Sequence, residues 1–198
     1  MPLTTHVTTN LVNTACFVHL LFEFDVPRSR FFFGSFDVTN LYGSVPIVGE
    51  LNVFGVVGDF FDQHRERTRL RNIAVSDLVG LIRLAINSDI ICADGDYFTQ
   101  INGLAMGNSL SPVLAIIYMY FVELRIFALL EDKILFWKRY VDDIFVISTV
   151  PLEEILPVIN QINSSIKFTV ELPVNNTMPL FRHVSVLSER NFQNCSLC

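Results

Sequence analysis

Lys138-Arg139-Tyr140-Val141-Asp142-Asp143-Ile144-Phe145-Val146-Ile147 sets two adjacent carboxylates between two apolar runs, residues 134–141 and 144–149. The spacing predicts two strands joined by a tight hairpin with Asp142-Asp143 as its turn, although Asp-Asp is a poorer turn pair than Asp-Gly. An unpaired charge beside an apolar strand is costly, and two like charges side by side add repulsion. Something must offset both. Upstream, residues 30–38 (RFFFGSFDV) read as a buried aromatic strand carrying a third such acid, Asp37. A divalent cation between these carboxylates would relieve the repulsion. Mg²⁺ takes one or two carboxylates and completes its shell with substrate phosphate oxygens. A pair of such ions suits an in-line displacement at phosphorus. The plainer alternatives are a strand-end cap for Asp37 and an exposed turn for Asp142-Asp143. Against them, Tyr-x-Asp-Asp is expected only about 0.015 times in a shuffled chain of this composition.

Outward from the hairpin, residues 110–130 (LSPVLAIIYMYFVELRIFALL) are apolar on nearly every face, which predicts a core helix with Ser111 as N-cap and Pro112 at its first position. A membrane span is the competing reading, opposed by Glu123 and Arg125 within the run. A second helix is predicted over residues 76–87, capped by Ser76. After the hairpin, Leu152, Ile155, Leu156, Ile159 and Ile162 recur at helical spacing, with Pro157 expected to kink that helix or delay its start. Residues 166–172 (IKFTVEL) alternate strictly and predict a strand with one wet face. Residues 173–176 make a turn, and residues 180–187 are expected to return as that strand's antiparallel partner. The pattern is α+β, an antiparallel sheet with helices packed on one face.

The chain has 198 residues and a formal charge of −6. Its mean hydropathy of +0.44 excludes a disordered chain, and no low-complexity tract appears. Four scattered cysteines are too few for a secreted disulfide scaffold and point to reduced thiols in an intracellular protein. The N-terminal stretch lacks the pattern of an export signal.

Tyr140-Val141-Asp142-Asp143 between apolar strands resembles the catalytic YxDD box, motif C, of reverse transcriptases. Phe36-Asp37-Val38-Thr39-Asn40-Leu41-Tyr42, continuing to Val45-Pro46, resembles their motif A. Gly103-Leu104-Ala105-Met106-Gly107-Asn108-Ser109-Leu110-Ser111-Pro112 resembles motif B, and the three occur in the family's order. Their wording, with IKFTVELPVNNTMPLF after them, is most similar to the reverse transcriptases of Penelope-like retroelements, over residues 31–190.

The resemblance implies a polymerase palm and RNA-directed DNA synthesis, with RNA template, DNA primer and dNTP as partners and two Mg²⁺ ions, replaceable by Mn²⁺, as cofactors. It implies that Asp37 and Asp142 hold the metals with Asp143 in support, and that Tyr42 is a steric gate against the ribose 2′-OH. Gly107, Ser111 and Pro112 would form the turn that approaches the nascent base pair. Val38 and Gln100 are expected near the nucleotide, and Lys167 matches a motif D lysine that protonates leaving pyrophosphate. Lys138, Arg139 and Tyr140 are expected at the primer backbone, although Lys138 and Arg139 would equally balance the carboxylates.

By this reading residues 1–30 are a remnant of the fingers region. Residues 31–190 are the palm with a partial fingers insertion at about 47–98, and residues 191–198 are a tail. The basic run Arg65, Arg67, Arg69 and Arg71 is a further candidate for phosphate contact, with a solvated face as the plainer alternative. Cys195-x-x-Cys198 has no second pair to make a zinc site. The acidic balance, sparse basic residues before Asp37 and lack of a thumb lead to the expectation of a truncated palm. Its alternative role is a catalytically inactive remnant that binds nucleic acid or serves structure. The expected location is intracellular, in the nucleus, with no membrane, and the sequence gives no evidence for a specific protein partner.

Overall fold

Strand β1 (Phe32–Val38) is the centre of the architecture: it pairs along both edges, and its apolar residues on both faces suit a strand covered on both sides. The computed structural model describes residues 7–25, 27–67, 72–174, 177–180, 184–187 and 196–197. It divides into two compact units, Met1–Val7 with Asn40–Val122, and Thr8–Thr39 with Glu123–Cys198.

The second unit holds an antiparallel sheet of β4 (Ile134–Tyr140), β5 (Asp143–Ser148), β1 and β6 (Phe168–Glu171), in that order. Phe36, Val38, Ile144, Val146 and Trp137 share one face by register, and all are buried. The C-terminal half of α5 (Ser111–Leu130) covers them, with Phe127 edge-on to Trp137 at 5.7 Å. Helix α6 (Leu152–Ile162) packs beside it, so close at Gly34 that an added Cβ would stand 2.8 Å from Leu152 Cδ2. On the opposite face, α1 (Thr14–Glu23) lays Phe17 and Leu21 over Phe136, Phe145 and Ile147. Its Phe17 meets Phe145 edge-to-face at 5.3 Å. The N-terminal segment protects the outer edge of the sheet: the Leu11 amide donates to the Arg139 carbonyl at 2.7 Å and the Arg139 amide to the Thr9 carbonyl at 2.9 Å.

The first unit contains α2 (Leu41–Ser44), α3 (Val53–Gln63), α4 (Val75–Asn87), the hairpin β2 (Ile90–Ala93) and β3 (Asp96–Thr99), and the start of α5. Asn52 caps α3 by accepting from the Gly55 amide at 3.1 Å. Helices α3 and α4 pack together, with the Arg83 guanidinium 4.7 Å over the Phe54 ring.

The α+β class and the antiparallel sheet match expectation, but helices cover both faces of the sheet, because α1 lies opposite α5 and α6. Five local readings change. Helix α4 starts one residue early, after Ala74, so Ser76 is not its cap. Ser111 is already helical and its hydroxyl donates to the Ala105 carbonyl instead of capping α5. The hairpin turn is Val141-Asp142, and Asp143 already belongs to β5 opposite Tyr140. Helix α6 runs unbroken through Pro157 from Leu152, since its buried Leu152, Ile155 and Ile159 hold the apolar face against the sheet. Strand β6 pairs with β1, whereas β7 (Thr177–Leu180) and β8 (Val184–Leu187) pair with each other in a separate sheet with β9 (Ser196–Leu197). Residues 69, 71, 181–183, 195 and 198 lie outside the described residues, and with them the expectations for Arg69, Arg71 and the cysteine pair.

Candidate active site

The antiparallel register sets Asp37 directly opposite Asp143, and the Val38 amide donates to the Asp142 carbonyl at 3.2 Å. Two segments more than 100 residues apart thus bring their acids to one end of one sheet. Alternation puts Asp37 and Asp143 on the face that carries Phe33, Phe145 and Ile147 farther along, where α1 sits. The Asp37 carboxyl is held above the ordinary value of 3.8, first by burial and then by the negative charges of Asp142 and Glu171. All three influences oppose its ionisation, which is the electrostatic setting a cation relieves.

Glu171 is a residue that the sequence reading passed over. It lies on β6 opposite Ser35, two positions along from Asp37 on the same face. Its only sequence signal is the polar phase of IKFTVEL. Among the described residues no three His, Cys, Asp or Glu side chains meet closely enough to hold an ion by themselves. The acids do fit Mg²⁺ by chemistry, because this ion is satisfied by one or two carboxylates and takes its remaining oxygens from water and phosphate.

The turn that carries Asp142 is unusual. Val141 has φ +58°, a left-handed value that a β-branched residue seldom adopts. Beneath it lies a buried polar network centred on Glu123 and Arg139, both fully enclosed. Glu123 of α5 accepts from Arg139 Nε at 2.7 Å, from Trp137 Nε1 at 3.0 Å and from the Thr9 hydroxyl at 2.5 Å. Arg139 Nη1 also donates to the Val141 carbonyl at 3.1 Å.

These contacts place two of the expected site residues inside the fold. Arg139 is 0% exposed and ion-paired inside the fold, so it does not face a primer strand. Val38 turns its side chain into the core and gives its amide to Asp142. Lys138 is half-buried on the Asp37 face; its ammonium donates to the Thr8 carbonyl at 2.9 Å, and burial lowers its pKa, an effect that Cys16 and Glu123 partly offset. Tyr140 is exposed opposite Asp143. Lys167 is exposed, and its ammonium lies 3.4 Å from the Asn160 carbonyl.

In the first unit, the segments resembling motifs A and B come together. The Leu104 amide donates to the Tyr42 carbonyl at 2.7 Å, and Gly103, at φ +76°, has the Gly43 backbone 2.8 Å from where a Cβ would be. Gly107 and Pro112 are exposed, whereas Ser111 is buried and braces the turn internally. The Gln100 amide donates to the Asn102 carbonyl at 2.7 Å.

No protein-family model matches the sequence, and a search of curated proteins returns no match. Solved structures do match. Apo telomerase from Candida tropicalis covers 96% of this chain at 14% identity with a TM-score of 0.69. The same enzyme without its C-terminal domain covers 96% at 15% identity with a TM-score of 0.67. Telomerase from Candida albicans, in complex with the TWJ fragment of telomeric RNA, covers 92% at 12% identity with a TM-score of 0.66. The chain spans 41%, 36% and 34% of the truncated tropicalis, full tropicalis and albicans chains. At this identity the likeness is one of fold, and it is a reverse-transcriptase-like palm: an antiparallel sheet, with helices, that bears the acidic hairpin at one end.

Proposed function

We propose that this chain is the palm of an RNA-directed DNA polymerase of the Penelope-like retroelement type, which transfers nucleotides from dNTP to a DNA primer 3′-OH on an RNA template. The observation that carries this reading is the Asp37–Asp143 register beside Asp142, with ionisation of Asp37 opposed by burial and then by like charges. In this reading Asp37 and Asp142 hold two Mg²⁺ ions, or Mn²⁺ in their place, and Asp143 supports them. When bound, the ions lower the charge barrier between primer hydroxyl and α-phosphate and stabilise the leaving oxygen. The chain's own part is to hold the carboxylates on a rigid sheet end. Tyr42 restricts the sugar to the deoxy form, Gly107 and Pro112 leave room beside the base pair, and Lys167 protonates pyrophosphate. The domain reading goes with it: palm over residues 31–190, fingers insertion over about 47–98, and a location in the nucleus. The RNA held by the Candida albicans enzyme supports a nucleic-acid partner for a fold of this kind.

Primer extension on poly(rA)/oligo(dT) with Mg²⁺ tests the reading directly. Incorporation by the chain that falls at least about 100-fold in Asp142→Asn is the expected result. Equal incorporation by both proteins removes the catalytic role. A net charge of −6 favours the second reading, an inert palm remnant, and no incorporation by either protein supports it.

A further inference from the structure

The network under the hairpin is more elaborate than packing requires. A fully buried Glu–Arg pair is seldom kept for stability, because the desolvation of both charges offsets most of their attraction. Here the pair has a third point of contact. Glu123 grips Arg139 from α5, and the far end of the guanidinium donates to the carbonyl of Val141, the residue with φ +58°. That carbonyl belongs to the peptide that leads into Asp142. Trp137 and Thr9 complete the carboxylate's partners, so Glu123 has little freedom to move.

We propose that Glu123 and Arg139 are positioning residues that hold the Val141-Asp142 turn in its left-handed conformation and so fix where the Asp142 carboxylate stands. Glycine would adopt that φ without help. Valine does not, and a charge-assisted hydrogen bond from a fixed guanidinium supplies the restraint. The catalytic consequence rests on the polymerase reading above. The conformational part does not, since it concerns only the turn and its docking through the Val38 amide to the Asp142 carbonyl.

The test uses the double variant Glu123→Gln/Arg139→Met. Removing one partner alone would strand a buried charge, whereas a neutral pair of similar volume keeps the core. The glutamine side chain retains an oxygen for the Trp137 indole and an amide for the Thr9 hydroxyl. Thermal melting should stay within about 5 °C of wild type. Amide exchange at Val38 should accelerate by about tenfold or more, the loss expected for a charge-assisted hydrogen bond, while amides elsewhere in β1 and β5 keep their protection. Adding Val141→Gly should bring Val38 protection back. In primer extension kcat should fall and recover in step with that protection, with the primer KM unchanged. Unchanged Val38 exchange in the double variant overturns the proposal. So does faster exchange in step with the whole sheet that Val141→Gly fails to restore. An inactive wild type counts against the polymerase reading alone, because the exchange measurement still decides the positioning role.

Discussion

Asp37 carries an electrostatic cost that burial imposes first and its two acidic neighbours add to. Burial and the charges of Asp142 and Glu171 hold its pKa above 3.8, so the folded chain binds this proton more tightly than the unfolded chain does. The cost is therefore fully present above the raised value and fades as pH falls through it toward 3.8. Asp37→Asn should raise the melting temperature at pH 7 in EDTA, and only modestly, because Asp37 is partly open to solvent that screens the repulsion. The gap between variant and wild type should close on acidification. Millimolar Mg²⁺ should then raise the wild-type midpoint more than that of Asp37→Asn, because only the former offers the ion Asp37 beside Asp142. Melts over pH 4–8 with and without Mg²⁺ check both parts, and a variant that melts lower than wild type at pH 7 defeats the account. Asp37, Asp142 and Asp143 were legible in the sequence because a charge among apolar strand residues announces itself. Glu123 and Glu171 were not. The partners of Glu123 come from 14, 16 and 114 positions away, and no local spacing marks such a meeting.

Two elements are tuned by single residues. In β1, Gly34 faces α6 and the neighbouring β6, where an added Cβ would stand 2.8 Å from both Leu152 Cδ2 and the Glu171 carbonyl oxygen. The backbone contact cannot be relieved by a rotamer change, so Gly34→Ala must displace β6 or α6. It should cost about 1–3 kcal/mol, read as a lower urea midpoint at an unchanged slope. A neutral substitution would mean that β6 is not held as described. In α6 the reverse holds. Pro157 is exposed in the helix interior and lacks an amide to bond the preceding turn. Pro157→Ala should stabilise by about 1–2 kcal/mol, the helix gain less the entropy that proline removes from the unfolded chain. The heptad-like spacing that predicted α6 was legible in spite of the proline because the buried face outweighs one lost hydrogen bond. Helix α1 was not predicted. Its apolar content is high all round, and its role as a lid on Phe136, Phe145 and Ile147 exists only once β4 and β5 are paired. The partner of β6 was misassigned for a similar reason: sequence neighbours suggest a hairpin, while the register to β1 depends on a strand more than 100 residues earlier.

At the scale of the whole chain, the fold class was legible because three motifs in order constrain topology more tightly than any local propensity does. Charge is the property that bears hardest on function. There are 14 basic against 20 acidic residues, and a polyanion is held chiefly by neutralised phosphates. Several described cations already have internal work. Arg139 is paired with Glu123, Lys138 reaches the Thr8 carbonyl, Arg65 lies 3.9 Å from Asp62, and Arg30 and Arg83 stack over Phe32 and Phe54. The other nine basic residues compete with the chain's 20 acids for any phosphate. A fluorescent RNA–DNA primer–template titrated at several KCl concentrations should therefore bind weakly, with a log–log slope of about −1 to −3, where six or more phosphate contacts would give about −5 or steeper. Added Mg²⁺ should strengthen binding at constant ionic strength, since the ion shields the acids around Asp37 from the duplex. A steep slope, or tight binding that persists in high salt, would show that the chain presents a basic track after all. A shallow slope with Mg²⁺-dependent gain would instead place the carboxylate end of the sheet, and not a cationic groove, at the centre of recognition.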